Sequence, residues 1–375
     1  MIPVMLPMLG EEEAQAAAEA VRSGWVAQGP RVAEFERVFA GLVGAEHGVA
    51  VSSCTTALHL ALIALGIGPG DEVIVPSLSF IATANAARYV GATPVFADVE
   101  LSTGNLTVST VDAVRTSRTR AIIAVHQGGV PFDVQALRAA ASEWDVALVE
   151  DAACAAGSTA YGRPVGEGAL VAAWSFHPRK VITTGEGGML TVDKSDWAVR
   201  LRRLREHGMN VSAADRHASA KPILEAYLET GYNFRMTDIQ AAIGLVQLGR
   251  MDALVSQRRE LAARYHEMLS GIQGLTPVRD PSYGTTNFQS FWVLLDPEFG
   301  PGRDEVLSEL AAAGVSARRG IMAAHLEPAY SDSAHLELPN TERITRDSLI
   351  LPLHHALTDA DQEHIVGVLS KLTGA

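Results

Sequence analysis

The pattern of apolar and polar positions alternates between two kinds of segment over the first two-thirds of the chain. Short apolar runs rich in β-branched residues predict buried strands at residues 48–51, 72–75, 93–97, 121–125, 146–149, 174–176 and 189–192. Between them lie segments with helical periodicity, such as residues 82–89, 134–142 and 196–206. This alternation predicts an α/β protein, in which βαβ units build a mostly parallel sheet covered by helices.

The last third of the chain follows a different pattern. A long helix is predicted from Thr237 past Gly244 towards Leu269, with Gly249 as a candidate break. After it, the pattern predicts a strand, a helix, a strand and a helix, at residues 291–295, 304–313, 349–353 and 359–372. We therefore expect a large domain at residues 1–249 and a smaller α+β domain at residues 250–375.

Charge and composition narrow the range of partners. The net charge of −13 over 375 residues argues against a nucleic acid or an anionic membrane as partner, although a local anion site remains open. The apolar start has no basic flank and runs into three glutamates, and the most apolar helical stretch, residues 57–65, is too short to span a bilayer. The two cysteines, Cys54 and Cys154, are too few for a disulfide framework, so a cytoplasmic location is expected.

The first candidate for chemistry is the segment SSCTTAL at residues 52–58, which follows a predicted strand. Small hydroxyl residues open an apolar helix there, so that backbone N–H groups and hydroxyls point towards one spot and form an anion site. Simple capping of the helix by one serine is the alternative, and both interpretations stay open. The glycine cluster at residues 66–71 follows a helix and precedes a strand, the reverse of a dinucleotide-binding loop, so no NAD site is expected.

The second candidate is the pair Glu150 and Asp151, which ends a predicted strand. In an open parallel sheet, ligands gather at the carboxyl ends of the strands. A carboxylate buried at such a position is costly unless it has a cationic partner, and a protonated pyridine nitrogen is one such partner. A helix cap or a structural ion pair explains the segment equally well.

The third candidate is Lys180, in the stretch WSFHPRK at residues 174–180 before the turn VITTGEGG. Apart from Arg179 its neighbourhood carries little charge, so burial is expected to lower the pKa of this lysine and to free its amine for Schiff-base chemistry. The alternative is a surface lysine beside Arg179. His177 receives no catalytic role, because such a histidine more often packs or forms local hydrogen bonds.

Taken in order, these segments resemble the DegT/StrS-type nucleotide-sugar aminotransferases, which have the aspartate aminotransferase-like fold, fold type I. The resemblance covers nearly the whole chain, in the segments 23–25, 35–36, 53–58, 75–84, 150–153, 175–180, 233–242, 325–330 and 351–354. It implies a mostly parallel seven-stranded sheet between helices, a smaller C-terminal α+β domain and pyridoxal 5′-phosphate (PLP) as cofactor. No metal site is expected.

The resemblance also implies a role for each matching position. Lys180 would bind the cofactor as a Schiff base and move protons, Asp151 would pair with the pyridinium nitrogen, and Phe80 would stack on the ring. The other matching positions are Ser53, Cys54, Thr55 and Ser175 at the phosphate, Cys154 near the phenolic oxygen of the ring, Asn233 reaching the phosphate from the partner subunit, and His325 on the sugar side. The implied assembly is a homodimer with shared active sites.

Two of these positions depart from the family pattern. The phosphate loop usually has glycine where this chain has Cys54, whose backbone N–H can still bind the phosphate. The position of Cys154 is often glutamine or histidine in the family, and a thiol is a weaker partner for the phenolic oxygen.

The implied reaction is a transfer of the amino group from L-glutamate to a nucleotide-linked keto-deoxysugar. The turn TTGEG at residues 183–187 is more similar to family members that act at C4 of the sugar than at C3. Lys180 argues against the C3 dehydratases of the family, which have histidine there. Two alternatives stay open, namely an aminotransferase for a keto-cyclitol or related ring ketone, and a non-catalytic regulatory or scaffold protein of the same fold.

Overall fold

Short β-strands are distributed over the whole of the computed structural model, which describes residues 1–211, 222–333 and 335–373. In chain order the strands are β1 (His47–Val51), β2 (Glu72–Pro76), β3 (Thr93–Ala97), β4 (Thr119–Val125), β5 (Ala147–Asp151), β6 (Thr159–Ala160), β7 (Arg163–Pro164), β8 (Val171–Ser175), β9 (Gly188–Val192), β10 (Leu275–Pro277), β11 (Gly284–Thr285), β12 (Phe291–Leu295), β13 (Arg318–Arg319) and β14 (Ser348–Leu351).

Helices lie between most of these strands. They are α1 (Glu11–Ser23), α2 (Pro30–Leu42), α3 (Cys54–Ala64), α4 (Ala82–Tyr89), α5 (Val108–Asp112), α6 (Val134–Glu143), α7 (Ser195–Arg205), α8 (Asp238–Leu269), α9 (Arg303–Ala312), α10 (Pro339–Asp347) and α11 (Asp359–Leu372). In the part of the chain that the structure describes, no helix is long and apolar enough to cross a membrane.

The largest sheet has seven strands in the order β1-β9-β8-β5-β4-β2-β3. Strands β8, β5, β4, β2 and β3 run parallel, whereas β9 is antiparallel to both of its neighbours. The prediction of an α/β protein with a mostly parallel sheet is therefore confirmed. Because the parallel strands share one direction, their carboxyl ends lie at one edge of the sheet.

Helices cover both faces of this sheet. On one face α3, α4 and α7 pack their alanine and leucine side chains against β1, β2 and β8. On the other face a cluster of aromatic rings joins α2 to β8. The ring of Phe39 makes edge-to-face contacts there, with its centroid 5.2 Å from the ring centroid of Trp174 and 5.1 Å from that of Phe176. Two apolar layers therefore hold the strands, and with them the carboxyl edge, in place.

Helix α8 connects the large sheet to a small one without interruption. Thr237 accepts a hydrogen bond from the N–H of Gln240, and the Gln240 side chain accepts one from the N–H of Thr237, and this capping box starts the helix at the predicted residue. The candidate break at Gly249 is wrong, since the helix is continuous over 32 residues. A glycine costs a helix only about 1 kcal/mol, which the packing of α8 on α1 and α2 outweighs. The division into domains at residues 249 and 250 falls inside this helix and stays a prediction.

The small sheet is antiparallel, in the order β10-β12-β14-β13, and a third sheet of short strands has the order β11-β6-β7. The N-terminal segment lies against the small unit, because the N–H of Ile2 bonds the carbonyl of Gly314 at 2.8 Å and the N–H of Leu353 bonds the carbonyl of Val4 at 3.3 Å. The first residues of the chain therefore reach the side of the molecule on which the small sheet faces the large one.

Candidate active site

A cavity of about 770 Å³ lies between the carboxyl edge of the large sheet and the small sheet. The large sheet and its helices contribute Ser53, Cys54, Thr55, Phe80, Thr83, Gln127, Asp151, Cys154, Ser175 and Lys180 to its wall. The small sheet and the N-terminal segment contribute Arg318, Ile350, Leu353, Val4 and Met5, among others. The structure thus brings together most of the site residues that the sequence suggested.

The start of α3 forms an anion cradle in this cavity. The Ser53 hydroxyl accepts a hydrogen bond from the N–H of Thr56 at 3.2 Å, and the Thr56 hydroxyl accepts one from the N–H of Ser53 at 3.1 Å. The N–H groups of Cys54 and Thr55, the first two of the helix, have no carbonyl one turn earlier and are available to an anion. Capping and anion binding are thus compatible.

A close contact with the start of α3 requires glycine at position 188, where the glycine-rich turn leads into β9. A Cβ atom at Gly188 would lie 2.3 Å from the carbonyl carbon of Ser53 and 2.6 Å from the nitrogen of Cys54. Only glycine lets β9 approach the cradle so closely. Ser175, the last residue of β8, lines the cavity and its hydroxyl accepts a hydrogen bond from the N–H of His177 at 3.4 Å.

Asp151 lies at the bottom of the cavity, and only 4% of it is exposed. One carboxylate oxygen accepts a hydrogen bond from the Thr83 hydroxyl at 3.0 Å, and the other accepts one from the N–H of Ala153 at 3.2 Å. Burial raises the pKa of Asp151, and the hydrogen bonds from Ala153 and Thr83 and the charge of Lys180 only partly offset it. A further cationic partner in the cavity would therefore offset the cost of burying this carboxylate.

Glu150 forms a structural ion pair, which is one of the roles that the sequence left open for this segment. Its side chain lies on the opposite side of β5 and pairs with Arg138 at 2.6 Å and with His126 at 3.3 Å. Burial raises the pKa of Glu150, but His126 and Arg138 outweigh this effect and the pKa is lowered. Glu150 is therefore a structural ion pair, whereas Asp151 faces the cavity, as the alternation of side chains along a strand requires.

The Lys180 amine donates a hydrogen bond to the sulfur of Cys154 at 3.1 Å and shares the cavity with Asp151. Burial lowers the pKa of Lys180, but the sulfur of Cys154, followed by Cys54 and Asp151, outweighs burial and the pKa is raised. Burial thus acts in the expected direction, but the expected net lowering of this pKa is wrong, because the groups beside the amine, with the sulfur of Cys154 first, reverse it.

Phe80 and Cys54, two further cavity residues that the family resemblance suggested, lie in different environments. Phe80 follows β2 and is 65% exposed, so that one face of its ring is open for stacking. The thiol of Cys54 points at Asp151, with the sulfur 4.0 Å from a carboxylate oxygen. Burial and then Asp151 raise the pKa of this thiol, which keeps it neutral.

Two residues that the family resemblance suggested do not line the cavity of their own subunit. Asn233 is exposed, and its side-chain oxygen accepts a hydrogen bond from Arg235 at 3.0 Å. His325 is 0% exposed, and its ring nitrogen lies 2.6 Å from the Ser77 hydroxyl, behind the cavity wall. His325 does not line the cavity because tertiary packing places its ring beside Ser77 and Phe96, and its position on the sugar side stays a prediction.

The structure adds cavity residues to which the sequence assigned no role. Thr83, the second residue of α4, reaches Asp151. Gln127 follows β4 at the carboxyl edge, a position that the strand prediction could have identified. Arg318, Val4 and Met5 come from chain segments far from the large sheet in sequence, and the pattern gave no signal for them.

The cavity suits the parts of one cofactor. The free N–H groups at the start of α3 suit a phosphate, the buried and under-neutralised carboxylate suits a protonated ring nitrogen, and the Lys180 amine suits an aldehyde. These are the three groups of PLP, and the seven-stranded sheet that carries the residues is the fold of PLP-dependent aminotransferases. The class of the protein is therefore a PLP-dependent enzyme.

A match to one protein family specifies which kind of PLP-dependent enzyme the chain is. The chain belongs to the DegT/DnrJ/EryC1/StrS aminotransferase family, whose model matches residues 7–370. The resemblance that the motifs indicated is confirmed, and the chain is a PLP-dependent sugar aminotransferase.

Solved structures agree with this family over the whole chain. The aminotransferase TlmJ from Streptoalloteichus hindustanus is 38% identical with a TM-score of 0.91, covering 100% of this chain and 99% of that one. Spr1654 from Streptococcus pneumoniae, solved in a PMP form, is 27% identical with a TM-score of 0.93 and the same coverage. DesI, solved in the presence of its TDP-sugar product, is 33% identical with a TM-score of 0.90, covering 99% of this chain and 93% of that one.

Proposed function

We propose that this protein transfers the amino group of L-glutamate to a nucleotide-linked keto-deoxysugar, with C4 favoured over C3 as the site of amination. The observation that carries the proposal is the convergence of the Lys180 amine, the Asp151 carboxylate and the start of α3 on one cavity. The nucleotide-linked substrate is supported by DesI, a similar protein that was solved with a TDP-sugar product.

The residues of the chain divide the work of catalysis. The cofactor, when bound, supplies an electron sink next to the reacting amine. Asp151 keeps the ring nitrogen protonated, because an ion pair with that nitrogen stabilises a carboxylate that is otherwise buried with too little positive charge. Lys180 would be the proton carrier, its amine moving a proton between the two carbon atoms that flank the transferred nitrogen.

The other cavity residues orient the cofactor. We assign phosphate binding to the N–H groups of Cys54 and Thr55 together with the hydroxyls of Ser53 and Ser175, and stacking on the ring to Phe80. Cys154 is assigned to the side of the ring that carries the phenolic oxygen. A volume of about 770 Å³ lies in the range of pockets that hold cofactor-sized and drug-sized ligands.

We also propose that the protein is a homodimer with shared active sites. Asn233 supports this proposal because it is exposed and does not line its own cavity, which leaves its amide for the phosphate in the partner subunit. Exposed apolar side chains lie in the stretch that leads to it, including Leu224, Tyr227 and Leu228. The proposed location is cytoplasmic, in keeping with two free cysteines at the cavity.

The preference for C4 rests on the turn at residues 183–187, of which Glu186 and Gly187 line the cavity. The runner-up substrate is a keto-cyclitol, which presents a ring ketone without a nucleotide. The non-catalytic scaffold protein that the sequence left open does not agree with membership of the aminotransferase family, nor with a lysine in a cavity with a buried carboxylate.

The test is a substrate panel assayed with the purified PLP-loaded protein and L-glutamate. The panel contains 4-keto and 3-keto 6-deoxysugars linked to UDP, dTDP or GDP, together with keto-cyclitols. We expect amination of a nucleotide-linked 4-keto sugar, no product from Lys180→Ala, and undiminished product from Lys194→Ala, a control at an exposed lysine. Turnover of keto-cyclitols alone, or undiminished turnover by Lys180→Ala, would contradict the proposal.

A further inference from the structure

The residues that line the cavity carry more positive than negative charge. Arg179, Arg318 and Arg319 all line it, whereas Glu186 is the one acidic residue besides the buried Asp151 in the lining that the structure describes. The chain as a whole has a net charge of −13. A local excess of arginine in an acidic protein attracts anions to the cavity and raises their local concentration.

Arg318 is held on the cavity side of the small sheet. In β13 it stands opposite Ile350 of β14, and side chains that face each other across an antiparallel pair lie on the same face of a sheet. Ile350 lines the cavity, so the guanidinium of Arg318 faces the same space. Gly320 fixes this edge strand, because its N–H bonds the carbonyl of Ser348 at 2.9 Å and a Cβ atom there would lie 1.8 Å from the Ser348 hydroxyl.

The neighbouring Arg319 is in a different situation. It stands opposite Leu349, which is 0% exposed in the core of the small unit, and its guanidinium lies 3.8 Å from Glu327. The guanidinium of Arg318 has no hydrogen-bond or ion-pair partner within residues 1–211, 222–333 and 335–373. One of two adjacent arginines therefore has an acidic neighbour, and the other presents its charge to the cavity without one.

We propose that Arg318 binds an oxyanion of the substrate and thereby determines how substrates are oriented from the small-sheet side of the cavity. The planar fork of a guanidinium matches both a carboxylate and a phosphate and can bind either with two parallel hydrogen bonds. The oxyanion is the carboxylate of the amino donor or the diphosphate of the nucleotide sugar. The inference rests on the proposed function for the identity of these two substrates.

The test compares Arg318→Gln with Arg319→Gln, each as the PLP-loaded protein. In the first arm, rapid mixing with L-glutamate follows the change in the cofactor absorbance in a single turnover, which gives the dissociation constant and the limiting rate separately. In the second arm, calorimetry measures the binding of UDP, dTDP and GDP without any turnover. Arg318→Lys keeps the charge and removes the fork.

We expect Arg318→Gln to weaken one of these ligands at least about 10-fold, as for loss of a charge-assisted hydrogen bond, with a limiting rate close to that of the wild type. Weaker L-glutamate binding identifies the carboxylate, and weaker nucleotide binding identifies the diphosphate. The dissociation constant of Arg318→Lys should lie between those of the wild type and Arg318→Gln. Arg319→Gln should change the dissociation constant of either ligand less than about 2-fold.

Three outcomes would overturn the inference: unchanged constants in Arg318→Gln, an equal loss in Arg319→Gln, or no binding of any of the four probes to the wild type. A wild-type protein that binds a nucleotide but accepts no amino group from L-glutamate would contradict the proposed donor alone, and the nucleotide arm would still decide the role of Arg318.

Discussion

The hydroxyl of Thr83 is one of the groups that stabilise the Asp151 carboxylate, and we expect its removal to weaken cofactor binding. It donates to one carboxylate oxygen at 3.0 Å, and the N–H of Ala153 donates to the other at 3.2 Å. Thr83→Val replaces this hydroxyl with a methyl group of the same size and leaves the buried carboxylate with one strong donor. Thr83→Ser keeps the hydroxyl and is the matched control.

The magnitude follows from the kind of bond that is lost. A hydrogen bond to a charged group contributes about 1.5–3 kcal/mol, and about 1.4 kcal/mol corresponds to a factor of about ten in affinity. Because the carboxylate must be ionised in order to hold the protonated ring nitrogen, Thr83→Val should weaken PLP binding by about 10-fold to about 100-fold. Thr83→Ser should bind PLP about as well as the wild type.

The pH dependence has a definite sign. Burial already raises the pKa of Asp151, and the hydrogen bond from Thr83 lowers it. Without that bond the pKa rises further, so the charge of Asp151 is lost at a higher pH as the solution is acidified. The affinity deficit of Thr83→Val should therefore grow as the pH falls in equilibrium titrations of cofactor absorbance. Equal affinities of the two variants at every pH would refute the reasoning.

Three further substitutions test the account elsewhere. Cys154→Ala removes the sulfur that raises the pKa of Lys180, so burial should lower this pKa. Uptake of PLP by the apo-protein, measured by absorbance as a function of pH, should then move to lower pH. An unchanged pH profile would contradict this. Gly249→Ala should raise the free energy of unfolding by about 0.5–1 kcal/mol in chemical denaturation, because a helix prefers alanine and a Cβ atom there meets nothing within 4 Å. A loss of stability would argue against the continuous helix. Arg138→Ala should destabilise it by roughly 3 kcal/mol at neutral pH because Glu150 stays buried with one partner fewer. Since the pKa of Glu150 is lowered in the folded state, that difference should shrink as the pH falls through the acidic range, and a constant difference would contradict the ion pair.

Local pattern was enough to predict the large sheet and the positions at its carboxyl edge. Asp151 and Ser175 end buried strands, and the start of α3 follows one directly, so each could be identified from a short window of sequence. The same pattern left open which of Glu150 and Asp151 faces the cavity. The period of two along a strand separates the two side chains but does not say which face is the cavity.

Features that depend on distant residues could not be predicted. The charge of Lys180 is set by Cys54, Cys154 and Asp151, which only the fold brings to its amine. The continuity of α8 through Gly249 depends on packing against helices at the other end of the chain. Arg318 faces the cavity because of the register between β13 and β14, which no window around the arginine reveals.

The position of the cofactor is the central claim, and a covalent label tests it most directly. The chain has four lysines, Lys180, Lys194, Lys221 and Lys371. Borohydride treatment of the PLP-loaded protein fixes the bond between the cofactor and its lysine, and peptide mass spectrometry then locates the modified residue. We expect the modification at Lys180 alone, at one group per chain. Modification at any of the other three lysines, or none in a protein that carries PLP, would contradict it.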